Sequence, residues 1–185
     1  LYFFMLCSLY LILCYIHSSK KSAWWLIIAG LITGIGILTK GPIALVQQLL
    51  FLLPYIIYLK EWKLLISPWI WLAIIISIAV PAPWYTHQLL HHGQPFFDLA
   101  LRDYTWYRFF GVVENQTGPW HYYLPGLLAF FPWISLVPSA AWQQFKGNIK
   151  IDQKTFSDGL AFSWIAVISS FLFFSIAQTK LPHYI

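Results

Sequence analysis

Five stretches of this sequence, residues 23–39, 41–59, 64–97, 115–145 and 159–179, contain no Asp, Glu, Lys or Arg. A helix of roughly 20 apolar residues crosses a hydrocarbon core of about 30 Å, and each stretch can supply one crossing. Residues 1–16 read as a sixth. Such continuous runs exclude a membrane β-barrel, whose strands alternate apolar and polar residues in short pieces. Only 9% of the 185 residues are charged and 59% are hydrophobic, whereas a soluble domain carries about 25% charged residues. The same composition buries apolar surface readily and excludes disorder. The predicted fold class is all-α: a polytopic membrane protein with about six transmembrane helices, at about 1–16, 23–38, 42–59, 64–81, 120–142 and 159–178.

The chain opens on Leu1 inside an apolar run, without an initiator methionine or a charged leader, and closes three residues past Pro182. It is therefore read as part of a longer transmembrane domain. Cys7 and Cys14 share the first run. Seven residues apart on one helix, they stand about 10 Å apart along its axis, too far to bridge, and read as small apolar fillers.

Charge location orients the spans. Alternating helices put residues 17–22, 60–63 and 143–158 on one side. Those segments hold Lys20, Lys21, Lys60, Lys63, Lys146, Lys150 and Lys154, most of the 11 basic residues. The positive-inside bias makes that side cytoplasmic. Residues 39–41, the stretch 82–119 and the end after residue 178 then face outward, with Lys40, Arg102, Arg108 and Lys180 on the side that normally avoids basic residues. The stretch 82–119 exceeds the 12–15 residues of an ordinary connection, so it should carry its own structure. Pro95 suits a helix start and Gly111 a stop, and Asp98 and Arg102 form an i,i+4 pair in the favourable order. At 100° per residue Phe97, Leu101, Tyr104 and Arg108 share an arc of about 60°. This predicts an amphipathic helix lying on the outer membrane face.

A tetrapeptide repeats at two outer span ends: Thr39-Lys40-Gly41-Pro42 and Thr179-Lys180-Leu181-Pro182. In one reading each lysine stabilises the C-terminus of its helix and each proline ends it. In the other, two ammonium groups converge on a phosphate at headgroup level, lysine acting as a compact point charge with three donors. Arg108 adds a bidentate contact in the second reading and snorkels to headgroups in the first. His87, His91 and His92 make at best half a zinc site, because no Glu or Cys completes it. His183 is notable for its position three residues after Lys180. Asp98, Asp103 and Glu114 show no close acid/base pairing; Asp103 reads as an ion-pair partner before a proton carrier. Asn115-Gln116-Thr117 matches a glycosylation acceptor by composition alone. Trp84, Tyr85, Trp106, Tyr107, Trp120, Tyr122 and Tyr123 form an interfacial aromatic belt. No Walker loop, Rossmann fingerprint or Cys/His array occurs, so nothing supports ATP-driven or redox chemistry, and the net charge of +5 reports orientation, not nucleic-acid binding.

The order of several short motifs resembles a known family. Leu38-Thr39-Lys40-Gly41-Pro42, Pro83-Trp84-Tyr85, Arg108-Phe109, Pro119-Trp120-His121-Tyr122-Tyr123-Leu124-Pro125, Pro132-Trp133, Phe173-Phe174-Ser175 and Lys180-Leu181-Pro182-His183-Tyr184-Ile185 together resemble the polyprenyl-phosphate-sugar glycosyltransferases of the GT-C superfamily. The nearest branch is the bacterial one of the undecaprenyl-phosphate aminoarabinose transferases of lipid A modification, akin to protein O-mannosyltransferases. The resemblance implies a multi-pass enzyme of the bacterial inner membrane with its active face periplasmic. It implies partners too: a polyprenyl-phosphate-linked sugar donor, a lipid or glycan acceptor and membrane lipids, with no nucleic acid. Lys40 and Lys180 match the family's two lysines and Tyr184 its following tyrosine, so carrier-phosphate binding is expected of Lys40, Lys180, Arg108, Tyr184 and His183. The family's carboxylates lie upstream of the part matched here; no catalytic residue is expected in this chain, which alone should be inactive. Two positions depart from the pattern: His121 stands where relatives carry an aromatic residue, and Thr105 where many carry histidine. No metal ligand is assigned, and a divalent metal stays open as the cofactor. The rival readings are a transporter or flippase for a lipid-linked anion, using the same cations, and a structural membrane subunit. Transporters concentrate Gly and Pro breaks near the midplane, whereas here the Pro and Lys signals cluster at outer ends.

Overall fold

The computed structural model describes residues 1–112, 117–119, 121, 142, 146 and 153–180, with the backbone alone at 101, 103–106, 108 and 153–156. The chain forms two compact units, Leu1–Thr105 and Trp106–Ile185.

In the first unit the apolar runs become helices whose ends follow local chemistry. Helix α1 spans Tyr2–His17 and α2 spans Ala23–Lys40. Gly41 closes α2 with φ 81° and ψ −167°, a region essentially restricted to glycine, and its N–H donates to the Ile37 carbonyl at 2.8 Å. Helix α3 (Ile43–Leu59) follows at once and carries Pro54 inside it. Its end is a Schellman motif: Lys60 is left-handed at φ 57°, with Lys60 N–H on Ile57 O at 3.0 Å and Glu61 N–H on Ile56 O at 3.2 Å. After a 3₁₀ turn at Trp62–Leu64, Pro68 opens α4 (Pro68–Ala79).

The fourth span, expected at 64–81, differs. Helix α4 starts later, because Pro68 suits the first helical position, and a new helix α5 (Ala82–His92) follows across Val80 and Pro81. Pro83 is tolerated there because the first turn's N–H groups need no intrahelical partner. Together these helices run 25 residues, so the stretch 82–119 begins as helix. The chain continues through α6 (Gln94–Phe97), a π-helical segment at Asp98–Tyr107 and α7 (Arg108–Phe110) before Gly111. A helix thus runs where Pro95 and Gly111 predicted one. Its middle is wound with i→i+5 bonds, so the arc shared by residues 97, 101, 104 and 108, which assumed 100° per residue, does not carry over.

Helix α2 is the hub, packed against both α1 and α4. Gly30 and Gly34 meet α4 so closely that a Cβ at Gly30 would lie 2.6 Å from the Ala73 carbonyl oxygen, and one at Gly34 2.5 Å from Val80 Cβ. This is the small-xxx-small contact of membrane helices. On its other side α2 is joined by polar side chains. Ser8 Oγ donates to Ala29 O (3.0 Å) and lies 2.8 Å from Thr33 Oγ1, which is also 3.0 Å from Gln48 Oε1 on α3. Ser8, Thr33, Gln47 and Gln48 are all buried. At the other end of α1, His17 Nε2 lies 2.8 Å from the hydroxyl of buried Tyr55. Outward, Phe3, Leu6, Tyr10, Ile28, Leu31, Trp71 and Ile75 are exposed, as helices solvated by lipid require.

In the second unit the main described helix is α8 (Gln153–Ile176). Phe109 packs on Phe173 with ring centroids 4.9 Å apart, and the Gln178 N–H donates to Phe109 O at 3.0 Å. Among the described residues, Ala23–Lys40, Pro68–His92 and Ser157–Ile176 are long and apolar enough to cross a membrane, and Tyr2–His17 and Ile43–Leu59 are shorter apolar helices. The expected span at 120–142 lies almost wholly outside the described residues.

Candidate functional site

The two lysine motifs, alike in sequence, differ in structure. Lys40 sits in the last turn of α2 and is exposed, and no described residue bonds its ammonium. Thr39 Oγ1 turns back onto Gly36 O at 2.6 Å. Gly41 then swings the chain into α3 and leaves the lysine at the corner. The hydroxyl of Tyr85 on α5 approaches the same corner, 3.6 Å from where a Cβ on Gly41 would stand. Its ring is held by Trp84 (centroids 4.9 Å, edge-on) and Phe96 (6.2 Å). Tyr85, Thr86, Leu89, Phe96 and Phe97 line a cavity of about 130 Å³.

Lys180, in contrast, is buried. Its Nζ donates to Ser175 O at 2.9 Å and to Ala177 O at 2.6 Å, satisfying carbonyls that the end of α8 leaves unpaired. Thr179 Oγ1 donates to Gly111 O at 2.7 Å, fastening this corner to residues 109–111. The helix-stabilising reading of the motif therefore describes Lys180 as found: two of its three donors are taken by these carbonyls.

Lys40 belongs to the first unit, and Lys180 with the backbone of Arg108 to the second. Tyr184 and His183 lie outside the described residues, as do Glu114, Asn115 and Gln116. Asp98 and Arg102 pair at 3.8 Å with largely exposed side chains, a geometry that contributes little to stability. The His87 and His91 rings lie tilted at 41° with centroids 4.3 Å apart. Among the described residues no third His, Cys, Asp or Glu joins them to hold a metal. The sequence reading missed Gly41 and Tyr85 as parts of the Lys40 corner. The Gly-Pro pair after a terminal lysine was the available signal for the first; nothing in sequence brings residue 85 to residue 41.

Exposed apolar helices bound by small-residue contacts and interhelical hydrogen bonds define a multi-pass membrane protein. The chain belongs to the dolichyl-phosphate-mannose-protein mannosyltransferase family, whose sequence pattern matches residues 1–97. It is 35% identical over 179 residues, 91% of this chain and 29% of the relative, to the undecaprenyl phosphate-alpha-4-amino-4-deoxy-L-arabinose arabinosyl transferase 2 of Pseudomonas fluorescens. To the corresponding transferase of Aeromonas hydrophila it is 37% identical over 171 residues, 84% of this chain and 27% of the relative. The chain thus spans about three tenths of the length of these relatives. In fold it is similar to the crystal structure of ArnT from Cupriavidus metallidurans bound to undecaprenyl phosphate, with a TM-score of 0.77, 23% identity and coverage of 98% of this chain and 32% of that one.

Proposed function

We propose that the protein to which this chain belongs transfers a sugar from a polyprenyl-phosphate carrier to an envelope acceptor, lipid A or another glycan, lipid or protein, on the periplasmic face of the bacterial inner membrane. The observation that carries the proposal is Lys40: an exposed ammonium at the end of α2, within the region that the family pattern covers. In the reaction the acceptor oxygen attacks the anomeric carbon as the bond from that carbon to the carrier phosphate breaks. The electron pair stays on the phosphate, and inversion follows from attack on the opposite face. Negative charge grows on the leaving phosphate, and a fixed cation aimed at it lowers the barrier. Lys40 supplies that cation. The family motifs add Lys180, Arg108, His183 and Tyr184 as candidate carrier-phosphate contacts. A phosphate acceptor is already anionic; a hydroxyl acceptor passes its proton to a carboxylate outside this chain.

The test uses the full-length protein in membrane vesicles supplied with an undecaprenyl-phosphate sugar. Lys40→Ala is expected to lower kcat/KM about 100-fold, with Lys40→Arg retaining part of the rate and both variants inserted at normal levels. Equal rates in wild type and Lys40→Ala would remove Lys40 from the site. Movement of the lipid-linked sugar across the vesicle without a new glycosidic bond would favour transport over transfer.

A further inference from the structure

We infer that Tyr85 is a second donor at the Lys40 corner, its hydroxyl hydrogen-bonding the carrier phosphate that the Lys40 ammonium binds. The inference rests on the reading of Lys40 given above. Three observations support it, all within one compact unit. First, the Tyr85 oxygen reaches the corner itself, 3.6 Å from a Cβ built on Gly41, the residue next to Lys40. Second, the ring is fixed: Trp84 stands edge-on at 89° and Phe96 is tilted at 53°. Pro83, one residue further back, restrains the backbone that carries it. Third, Tyr85 is half-buried while no described residue hydrogen-bonds its hydroxyl. Its hydroxyl is therefore available to a ligand, unlike that of fully buried Tyr55, which is paired with His17 at 2.8 Å.

A ring held on two sides, with its O–H at the residue that follows Lys40, is a pre-organised oxyanion contact. It loses little freedom on binding, and a hydrogen bond to an ionised acceptor is about twice as strong as a neutral one. Gly41 belongs to the same arrangement. Its φ of 81° turns the chain at the corner, and its lack of a Cβ leaves the Tyr85 hydroxyl facing backbone there. Thr86, Leu89, Phe96 and Phe97 line a largely apolar cavity against the same residue.

The experiment measures binding of undecaprenyl phosphate, and separately of lipid A, to the full-length protein in detergent micelles, with thermal unfolding of each variant as the check on folding. Tyr85→Phe keeps the ring and its packing and removes only the hydroxyl. It is expected to weaken undecaprenyl phosphate about tenfold, to leave lipid A binding unchanged and to melt as wild type does. Unchanged undecaprenyl phosphate binding in Tyr85→Phe, alongside weakened binding in Lys40→Ala, overturns the role of Tyr85 and leaves that of Lys40 standing. Weakening for lipid A alone overturns the carrier assignment. Unchanged binding in Lys40→Ala refutes the Lys40 reading itself, whatever Tyr85 does.

Discussion

Adding one methyl group at Gly30 should be costly, and adding one six residues along the same helix should not. A Cβ at Gly30 would sit 2.6 Å from the Ala73 carbonyl oxygen and 3.1 Å from Ala73 Cα. Both atoms are backbone, so no side chain can rotate away; α4 must withdraw by roughly 0.8 Å to restore ordinary contact of about 3.4 Å. Overpacking of this kind costs about 1–3 kcal/mol. The gain in helix propensity from Gly to Ala, at most about 1 kcal/mol, offsets little of it, because a membrane helix forms before it packs. Gly30→Ala is therefore expected to destabilise by about 2 kcal/mol. Gly36 is the internal control. Its added Cβ would meet Phe4 Cβ at 3.6 Å and Ala44 Cβ at 3.7 Å, ordinary contacts, so Gly36→Ala should be neutral or slightly stabilising. Gly34 shares the α4 contact, 2.5 Å from Val80 Cβ. Once α4 has moved for one methyl it has partly moved for the other, so the double variant should cost less than the sum of the singles. Reversible unfolding of the full-length protein in mixed micelles reads all three. Equal stability of Gly30→Ala and Gly36→Ala would refute the claim that α2 and α4 touch backbone to backbone.

Two further outcomes follow from contacts described above. Thr33→Val removes the hydroxyl that joins Ser8 on α1 to Gln48 on α3; it should destabilise by about 0.6–1.7 kcal/mol in the same unfolding assay, and no loss would mean that the three polar groups find other partners. Lys180→Ala leaves the carbonyls of Ser175 and Ala177 without their ammonium donor and should lower stability by about 1–3 kcal/mol, whereas Lys40→Ala, at an exposed position, should melt within about 0.5 kcal/mol of wild type; equal melting of the two lysine variants would contradict the difference between the two corners.

The helices were legible because lipid solvation imposes a plain requirement, long apolar runs without charge, and local signals such as Pro42, Pro95 and Gly111 mark some of their ends. What lay between helices was not legible. Ser8, Thr33 and Gln48 are scattered along three runs, and only the packing angle brings them together. The continuation of helix past Pro81 was hidden because prolines that stop one helix also open the next. The π winding at Asp98–Tyr107 has no signature in a periodicity count, which presumes its own period. The two Thr-Lys-x-Pro corners show most clearly where sequence stops: the same residue types leave Lys40 exposed and draw Lys180 onto its own helix carbonyls, and the backbone geometry of each corner decides between them.

The pairing of α2 with α4 also fixes an order of events during synthesis. The glycine face of α2 is complete once Gly34 has entered the bilayer, yet its partner atoms at Ala73 and Val80 are made only after all of α3 and the turn beyond it. Until then the small-residue face of α2 is covered by lipid, and the polar bridge from Thr33 to Gln48 is the earlier tie, joining α2 to the helix that follows it immediately. The buried hydroxyls and amides thus hold the first three helices together while the glycine contact of α2 waits for the fourth, and the Lys40 corner acquires Tyr85 only when that last docking is done.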